Sequence, residues 1–314
     1  MSLLLPSALF ILGLLLIIKG GDLFVDAAVW FAEVSGIPKV IVGATVVSLA
    51  TTLPEILVSI LAALQGKADM AIGNAIGSVT ANQGLILAVS LLFAPLAIHC
   101  QEYAAKGLLL ILAVAALWYC GSSGTLTTTG SLVLLIFFVL SMADNLRIAR
   151  RGMAKESHKL PLHQASLCLN LAKFLFGTAG IVCGAHLMVE NGSLLALQLG
   201  VPESVIGVTL MAVGTSLPEL VTAMTALLKG EGALSVGNIL GANLIDTTLI
   251  LPLCTLLSDN ALTFSTQALL LDLPICLVIS ILTVAPALLQ QKFSRWQGLV
   301  LTTIYAGYLF LLIA

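Results

Sequence analysis

Residues 51–55 read Thr-Thr-Leu-Pro-Glu and residues 215–219 read Thr-Ser-Leu-Pro-Glu, so a proline followed by a glutamate returns after 164 residues (219 − 55). The same offset aligns nine further pairs of identical residues, and no gap is needed from Gly20 to Asn82. These pairs are Gly20 with Gly184, Gly36 with Gly200, Pro38 with Pro202, Gly43 with Gly207, Thr45 with Thr209, Gly66 with Gly230, Gly73 with Gly237, Asn74 with Asn238 and Gly77 with Gly241. The sequence therefore predicts two copies of one structural unit.

The composition indicates a protein that lies in a lipid bilayer. Of the 314 residues, 59% are hydrophobic and 9% are charged, and the mean hydropathy is +1.12. Soluble domains are about 25% charged. A spanning helix needs about 20 mostly apolar residues, and such windows recur along the chain. They predict an all-α membrane protein with ten transmembrane helices, near residues 4–31, 39–65, 69–95, 105–120, 127–145, 167–196, 203–228, 232–257, 263–289 and 296–313.

Three further features narrow the class of protein. The first span lacks the basic start and the small-residue cleavage site of a signal peptide, so we expect it to remain in the mature protein. A net charge of −2 and a pI near 6.0 provide no basic face for nucleic acid. The six cysteines lie singly in apolar stretches without metal-ligand spacing, and we interpret them as packing residues. No obligate protein partner is inferred.

The basic residues predict how the chain is oriented in the membrane. The longest polar break, residues 144–163, contains five of them and should face the cytoplasm by the positive-inside rule. Five predicted spans precede this break, so we expect a multi-pass protein of the plasma membrane with both termini extracytoplasmic. The same count puts Lys67 outside and five more basic residues inside. These are Lys39, Lys106, Lys229, Lys292 and Arg295.

The repeat divides the chain into two halves of five spans each. The first half covers residues 1–145, a cytoplasmic loop covers 146–163, and the second half covers 164–314. Because five is odd, the second copy must enter the membrane from the opposite face, so the repeats are predicted to be inverted. Inverted repeats with interrupted helices are typical of secondary transporters, whose substrate sites lie near the bilayer midplane between the repeats.

Pro54 and Pro218 should interrupt their helices at equivalent positions. Proline lacks an N–H and clashes with the preceding turn, so each helix is expected to kink and to free carbonyls near residues 50–51 and 214–215. Irregular backbone at membrane depth is tolerated only where it is buried in protein or lines a polar cavity. The kinks therefore predict a polar site in the membrane.

Three acids lie in the matched segments, namely Glu55, Glu219 and Asp246, and the counterpart of Asp246 is Asn82. A carboxylate at the centre of a span costs about 2.5–3.5 kcal/mol on insertion scales. Away from their ends these segments contain no lysine or arginine, so a bound cation or a proton must neutralise the acids. Carboxylates, amides and hydroxyls form an all-oxygen ligand set that suits calcium or sodium, whereas no histidine or cysteine favours zinc or copper.

At these residues the chain resembles the cation/calcium exchanger superfamily, in particular the prokaryotic sodium/calcium exchangers. The resemblance covers nearly the whole chain and includes Gly-Asn-x-x-Gly-x-Asn-x-x-Asp at residues 237–246. It implies a secondary active antiporter that exchanges calcium for sodium by alternating access through four central cation sites, without a cofactor. Calcium ligands are implied at Glu55, Glu219 and the carbonyls of Thr51 and Thr215, with Asn82 and Asp246 closing the middle site. Sodium ligands are implied at Thr52, Ser78, Ser216 and the carbonyls of Ser48 and Ala212.

One departure from the family pattern, at Ala242, and the extra carboxylate of Asp246 leave the counter-ion open. Ala242 stands where the family has a serine whose hydroxyl helps to hold a sodium ion. Asp246 adds a third carboxylate, and three like charges in a low-dielectric site cannot all stay ionised once the cation leaves. A proton could then replace one sodium ion. The sequence thus leaves sodium, proton and potassium coupling as alternatives.

Two other classes of protein agree less well with the sequence. Two intramembrane carboxylates could form the acid/base pair of a membrane-embedded aspartyl protease, an intramembrane carboxylate hydrolase. Such an enzyme needs no inverted second copy, no flanking hydroxyl pairs and no proline before each acid. A cation channel needs no two inverted halves that rock about a central site. We therefore expect a transporter and not an enzyme.

Overall fold

A computed structural model describes residues 4–93, 96–97, 100–155, 164–199, 214–258 and 261–313. In these ranges the chain forms eleven helices, which confirms the all-α class, and four strands of two or three residues that the sequence did not predict. The helices are α1 (Leu4–Ser35), α2 (Lys39–Thr51), α3 (Leu53–Leu64), α4 (Ala68–Phe93), α5 (Cys100–Gly121), α6 (Thr128–Lys155), α7 (Gln164–Gln198), α8 (Leu217–Leu228), α9 (Gly232–Leu257), α10 (Ala268–Gln290) and α11 (Arg295–Ile313). The strands are β1 (Leu96–Ala97), β2 (Thr125–Thr127), β3 (Ala261–Thr263) and β4 (Lys292–Phe293).

Within the described ranges, seven helices are long and apolar enough to cross a membrane. An eighth crossing is obtained when α2 and α3 are counted as one bent span, because their axes differ by 48° at the break around Thr52. The other two predicted spans correspond to α8, with 12 residues, and α11, with 19 residues. Residues 203–213, at the start of the predicted span 203–228, lie outside the described residues. Ten crossings therefore remain a prediction.

Several helix bounds differ from those expected. Helix α6 continues to Lys155, so residues 146–155 of the predicted cytoplasmic loop are helical, and residues 156–163 lie outside the described ranges. By contrast, α3 and α8 begin and end at positions related by the offset of 164, and so do α4 and α9. The repeat in the sequence is thus also a repeat of helix lengths.

Burial separates interior helices from outer helices. In their most apolar windows, 72% of α4 and 83% of α9 is buried, against 33% of α1, 28% of α6 and 22% of α7. A helix that is buried on all sides lies at the centre of a bundle, whereas a helix with a large exposed apolar surface is typical of one that faces lipid. The two Gly-Asn segments, which begin at Gly73 in α4 and Gly237 in α9, therefore run through the middle of the protein.

Helices α1 and α7 pack against each other along glycines. A Cβ atom added at Gly13 would lie 2.8 Å from the carbonyl oxygen of Gly184, and one added at Gly20 would lie 2.9 Å from that of Gly177. Glycine permits this close approach of two backbones in a membrane. The later glycine of α1 contacts the earlier glycine of α7, so the two helices are antiparallel. Gly13 and Gly20 correspond to Gly177 and Gly184 at the offset of 164, so the two contacts are equivalent under the repeat.

The four short strands join the two halves at opposite ends of the molecule. Strand β1 of the first half pairs antiparallel with β4 of the second, and β2 of the first half pairs antiparallel with β3 of the second. We call these ends the β1–β4 face and the β2–β3 face. On the β1–β4 face, Lys39 Nζ at the start of α2 also lies 2.7 Å from Glu231 Oε1, just before α9.

Candidate cation site

Glu55 and Glu219 lie in the first turns of α3 and α8. Each follows a proline near the helix start, where the missing N–H removes no helical hydrogen bond, and each carboxylate meets the positive end of the helix dipole. Both side chains are 1% exposed. Among the described residues, the Oε2 atom of each glutamate has no hydrogen-bond partner. The two motifs therefore direct a partly unsatisfied carboxylate into the protein interior.

Asp246 is the third buried acid, and neither of its carboxylate oxygens has a hydrogen-bond partner in the described part of the chain. It lies close enough to Glu219 for the two charges to repel each other, and Glu55 is repelled by both. In the described part of the chain, the buried basic side chain is Lys106, and its Nζ pairs instead with Asp144 Oδ2 at 3.4 Å. Buried charges need a partner or a bound ion, and these three acids have no basic partner among the described residues.

Two threonine–asparagine hydrogen bonds link the halves across the site. The hydroxyl of Thr51 donates to Asn238 Oδ1 at 3.2 Å, and the hydroxyl of Thr215 donates to Asn74 Oδ1 at 3.3 Å. The offset of 164 exchanges these two bonds. Asn74 also donates to Ser59 Oγ at 2.8 Å. The two asparagines therefore bond across helices, beside the break after α2 and beside the start of α8.

The backbone around the break in the first half leaves carbonyls available. The N–H of Thr52 donates to the carbonyl of Ser48 at 2.9 Å, and the N–H of Ile56 donates to that of Thr52 at 3.0 Å. No backbone N–H of the described residues donates to the carbonyl of Thr51 across this break. Pro54 has no N–H to offer to Ala50. An unpaired carbonyl beside a buried carboxylate is a suitable ligand for a hard cation.

The hydroxyls that flank the glutamates differ between the halves. Thr52 donates its hydroxyl to Glu219 Oε1 at 3.1 Å, which connects the first motif to the acid of the second. The hydroxyls of Ser216 and Ser78 are both buried, and neither bonds to any residue that the structure describes. Ala242, the counterpart of Ser78, is fully buried and supplies only a methyl group. The hydroxyl ligands are thus unevenly divided between the halves.

Asn82 and Asp246 each begin a π-helical segment. These segments are Asn82–Leu87 in α4 and Asp246–Ile250 in α9. Single π-helical turns inside α-helices occur frequently at functional sites. Asn82 donates its Nδ2 to Asn243 Oδ1 at 3.0 Å, while its own Oδ1 has no partner. Asn82 therefore presents a free oxygen, as the resemblance implies.

Within the described ranges, seven side-chain oxygen atoms of predicted ligand residues have no hydrogen-bond partner. They are Glu55 Oε2, Glu219 Oε2, Asp246 Oδ1, Asp246 Oδ2, Asn82 Oδ1, Ser78 Oγ and Ser216 Oγ. Such a concentration of buried unpaired acceptors calls for a ligand, because each unpaired polar group is costly in a protein interior. The set contains only oxygen, which calcium and sodium prefer. In the described ranges, no three His, Cys, Asp or Glu side chains are grouped to hold a metal ion by themselves. Backbone and hydroxyl oxygens would have to complete any site.

Two of the predicted sodium ligands are placed less simply. The carbonyl of Ser48 already accepts the N–H of Thr52 and, at 3.3 Å, the hydroxyl of Thr51, so it would have to share its oxygen with an ion. Ala212 lies outside the described residues. The remaining nine predicted ligands lie in or beside the helix breaks and π-helical segments described above.

Sequence reasoning gave no role to Asn243 at this site. It accepts the hydrogen bond of Asn82, yet its counterpart at the offset of 164 is Val79, so the repeat gives no signal for it. The π-helical turns were also missed, because no composition rule distinguishes them from ordinary α-helix. The Gly-x-Asn spacing at residues 241–243 is the signal that could have indicated Asn243.

The chain matches a family model described as "Sodium/calcium exchanger protein" twice, over residues 5–145 and again over residues 169–314. Among relatives, it is 35% identical to the inner membrane protein YrbG of Escherichia coli, and the match covers 82% of this chain and 81% of that protein. It is 30% identical to the sodium/calcium exchanger MaX1 of Methanosarcina acetivorans, over 97% of both chains. The double match coincides with the two halves of the repeat.

Solved structures of a sodium/calcium exchanger, NCX_Mj, are similar to the whole fold. The structure soaked with 10 mM Na⁺ and no Ca²⁺ aligns with a TM-score of 0.84 at 29% identity and covers 97% of this chain and 98% of that chain. The structure soaked with 2.5 mM Na⁺ and 0.1 mM Ca²⁺ aligns with a TM-score of 0.81 at 30% identity, over 96% of both chains. The similarity therefore extends to both halves and to the helices that form the site.

Proposed function

Because the chain belongs to the sodium/calcium exchanger family, whose members are transporters, we propose that it is an antiporter that exchanges calcium ions for sodium ions through the site between Glu55 and Glu219. The observation that carries this proposal is the group of buried, unpartnered oxygens at two motifs that face each other across the repeat. Their negative charge requires a cation, and no described basic side chain supplies one. Such a site is neutral only when it holds cations or protons.

Calcium would bind at the shared centre of the two motifs. Glu55 and Glu219, with the carbonyls of Thr51 and Thr215, would supply up to six oxygens, and calcium takes about 6–8. Sodium would bind at the flanks, through Thr52, Ser78, Ser216 and the carbonyls of Ser48 and Ala212, with Asn82 and Asp246 closing the middle site. The two cations would then compete for the same carboxylates, which is what exchange requires.

We infer ten crossings in two inverted halves. A 12-residue helix is about 18 Å long, and a bilayer core is about 30 Å thick, so α8 alone does not cross. If the chain did not cross between α7 and α9, β1 and β4 would lie on opposite sides of the membrane, yet they are paired. The antiparallel contact of α1 with α7 supports the inversion, and the 48° bend before Pro54 supports the kinked helix.

The two faces of the site differ in a way that supports alternating access. On the side towards the β1–β4 face, Gly237 and Gly241 of α9 are buried, and a Cβ atom at either would collide with the backbone of α2. Their counterparts in α4 are more accessible, with Gly73 exposed and Gly77 half-buried. We infer that the site is closed towards the β1–β4 face and accessible from the β2–β3 face. During transport, the site would alternately open to one face and close to the other.

We further propose that the β1–β4 face is cytoplasmic and that both termini are outside the cell. The support is the distribution of basic residues, including Lys39 and Lys292 at the β1–β4 face. Labelling of a single cysteine at position 155, in a cysteine-free background, tests this orientation. We expect an impermeant reagent to leave intact cells unlabelled and to react once the membrane is opened. Labelling of intact cells would indicate the opposite topology, with position 155 outside the cell.

Asp246 favours a second candidate, in which a proton replaces one sodium ion. Both of its oxygens are unpartnered, and the neighbouring position that would complete a sodium site is Ala242. A protonated Asp246 would reduce the repulsion among three acids when the site holds fewer cations. This variant keeps the calcium ligands and changes only the counter-ion.

Proteoliposomes containing the purified protein test the proposed function. Radioactive calcium uptake is followed while sodium, potassium and proton gradients are imposed one at a time. We expect an outward sodium gradient to drive accumulation of calcium, and a proton gradient to drive it if Asp246 carries a proton. Calcium movement that ignores all three gradients would identify a channel and contradict antiport.

A further inference from the structure

A cavity of about 410 Å³ lies beside the central site, between α4, α10 and α11. It lies on the side of the β2–β3 face, because it is lined near the start of α4 by Asp69, at the start of α10 by Gln267, and near the end of α11 by Leu312. Among the described residues its wall also includes Asn74, Ser78, Asp272, Tyr305 and Tyr308. We call this cavity the vestibule.

The vestibule adjoins the proposed cation site directly. Asn74 lines it and also accepts the hydrogen bond of Thr215, while its Nδ2 lies 3.3 Å from the carbonyl of Glu55. Ser78 lines it too, and its unpartnered hydroxyl belongs to the predicted sodium ligands. An ion in the vestibule would therefore be separated from the carboxylates by the side chains of one helix.

Asp272 is the vestibule residue that the proposed exchange does not use. It is 7% exposed, and its Oδ1 accepts a hydrogen bond from the hydroxyl of Tyr308 at 3.1 Å. A second acid, Asp69, lies at the rim, and no lysine or arginine is found among the described lining residues. Independently of the acids, Tyr305 lines the vestibule with a buried hydroxyl that has no hydrogen-bond partner among the residues described. The vestibule thus holds negative charge and an unsatisfied oxygen.

The equivalent helix pair of the first half, α5 and α6, has its acid on the other helix, and a lysine pairs with it. Residue 308 corresponds to residue 144 at the offset of 164, and Asp144 on α6 pairs with the fully buried Lys106 on α5. In the second half, Tyr308 on α11 pairs with Asp272 on α10, so the helix pair is joined without a cation. A hydrogen bond would anchor the two helices equally well with a neutral partner. The hydrogen bond to Tyr308 therefore does not by itself require an acid at position 272.

We propose that the vestibule is a second, weak binding site for a hydrated cation, in which Asp272 gathers calcium ions that approach from the β2–β3 face. This inference rests on the proposed function of the central site. A carboxylate in a narrow, low-dielectric cleft raises the local concentration of counter-ions and so speeds their association. Asp272 would act on the capture of the ion and not on its translocation.

Calcium uptake by oriented proteoliposomes, measured from each face separately, tests this role. We expect Asp272→Asn to raise the KM for calcium roughly threefold or more from the β2–β3 face, with the maximal rate retained and the KM from the β1–β4 face unchanged. The increase should shrink at high ionic strength, because salt screens charge attraction. Tyr308→Phe is the matched control, since it removes the hydrogen bond and keeps the charge, and its KM should stay that of the wild type.

A second variant keeps the test decisive if Asp272→Asn does not fold. Leu312→Lys adds a positive charge at the vestibule and should raise the same face-specific KM, while Leu312→Gln should not. An unchanged KM in Asp272→Asn or Leu312→Lys, or an equal change of KM from both faces, would contradict the proposed role of the vestibule. A rise of KM in Tyr308→Phe equal to that in Asp272→Asn would also contradict it, because Asp272 would then act as a structural anchor. Wild-type exchange would persist in each case, whereas failure of the proposed function would abolish sodium-driven uptake by the wild type itself.

Discussion

The two halves of the molecule agree at the positions that would hold calcium and differ at the positions around them. Glu55 and Glu219 occupy equivalent first turns, and the bonds from Thr51 to Asn238 and from Thr215 to Asn74 exchange under the repeat. The flanking pairs differ, with Asn82 opposite Asp246 and Ser78 opposite Ala242.

The difference indicates how one site can serve two cations. A divalent ion at the centre of an inverted pair needs ligands from both halves, so both copies must keep them. In the proposed site the flanking ions would each use mainly one half, so these positions could diverge without loss of the central ion. We therefore expect substitutions at shared positions to abolish calcium transport and substitutions at divergent positions to alter the counter-ion.

The largest effect is expected from removing either glutamate charge. Glu55→Gln and Glu219→Gln should each abolish calcium transport, because an uncompensated change at a buried charge costs about 3 kcal/mol or more, roughly 100-fold in affinity. Sodium-driven calcium uptake in proteoliposomes measures this, and the elution profile of the purified variants shows whether they are folded. Because the halves are equivalent here, the two variants should fail alike, and substantial flux in either would contradict the assignment.

A smaller effect is expected when the halves are made alike at residue 246. Protonation of an acid in the site removes negative charge that calcium needs, so wild-type transport should fall as the pH is lowered. Asp246→Asn copies Asn82 into the second half and should weaken this pH dependence by roughly one proton. Calcium uptake is measured across a pH series for both proteins. If the pH profiles of the wild type and Asp246→Asn superimpose, a proton on Asp246 takes no part in the exchange.

The smallest effect is expected at the pair Ser78 and Ala242. Ala242→Ser supplies the missing hydroxyl and should raise the apparent sodium affinity by a few-fold, since one polar interaction contributes about 0.5–1.5 kcal/mol. Ser78→Ala is the reciprocal control and should lower it. The sodium concentration that half-inhibits calcium uptake reports both changes. If Ala242→Ser leaves this value unmoved, the flanking site does not depend on that hydroxyl.

Much of this site could be predicted from the sequence because the repeat places identical residues at identical positions. Pro54 and Pro218 indicate where the helices break, and an acid after each break has few explanations other than a cation. The repeat gives no information where the halves diverge. Asn243 and Asp272 have apolar counterparts, Val79 and Leu108, so only the packing of helices from both halves reveals what they contact.

The strand pairs and the π-helical turns could not be predicted from the sequence for a different reason. Strands of two or three residues have no periodicity to detect, and β1 and β4 are nearly 200 residues apart, so their pairing depends on the completed fold. The π-helical turns at Asn82 and Asp246 insert one extra residue per turn without a compositional signature. Both features concern contacts and geometry that residue patterns do not encode.

We propose that the two halves together hold one calcium ion that sodium displaces. Equilibrium dialysis of the purified protein against radioactive calcium, with and without sodium, measures this binding. We expect binding of about one high-affinity calcium ion per chain, loss of that ion in Glu55→Gln and in Glu219→Gln, and displacement by sodium. Calcium binding that survives in either variant, or that sodium does not displace, would contradict the account.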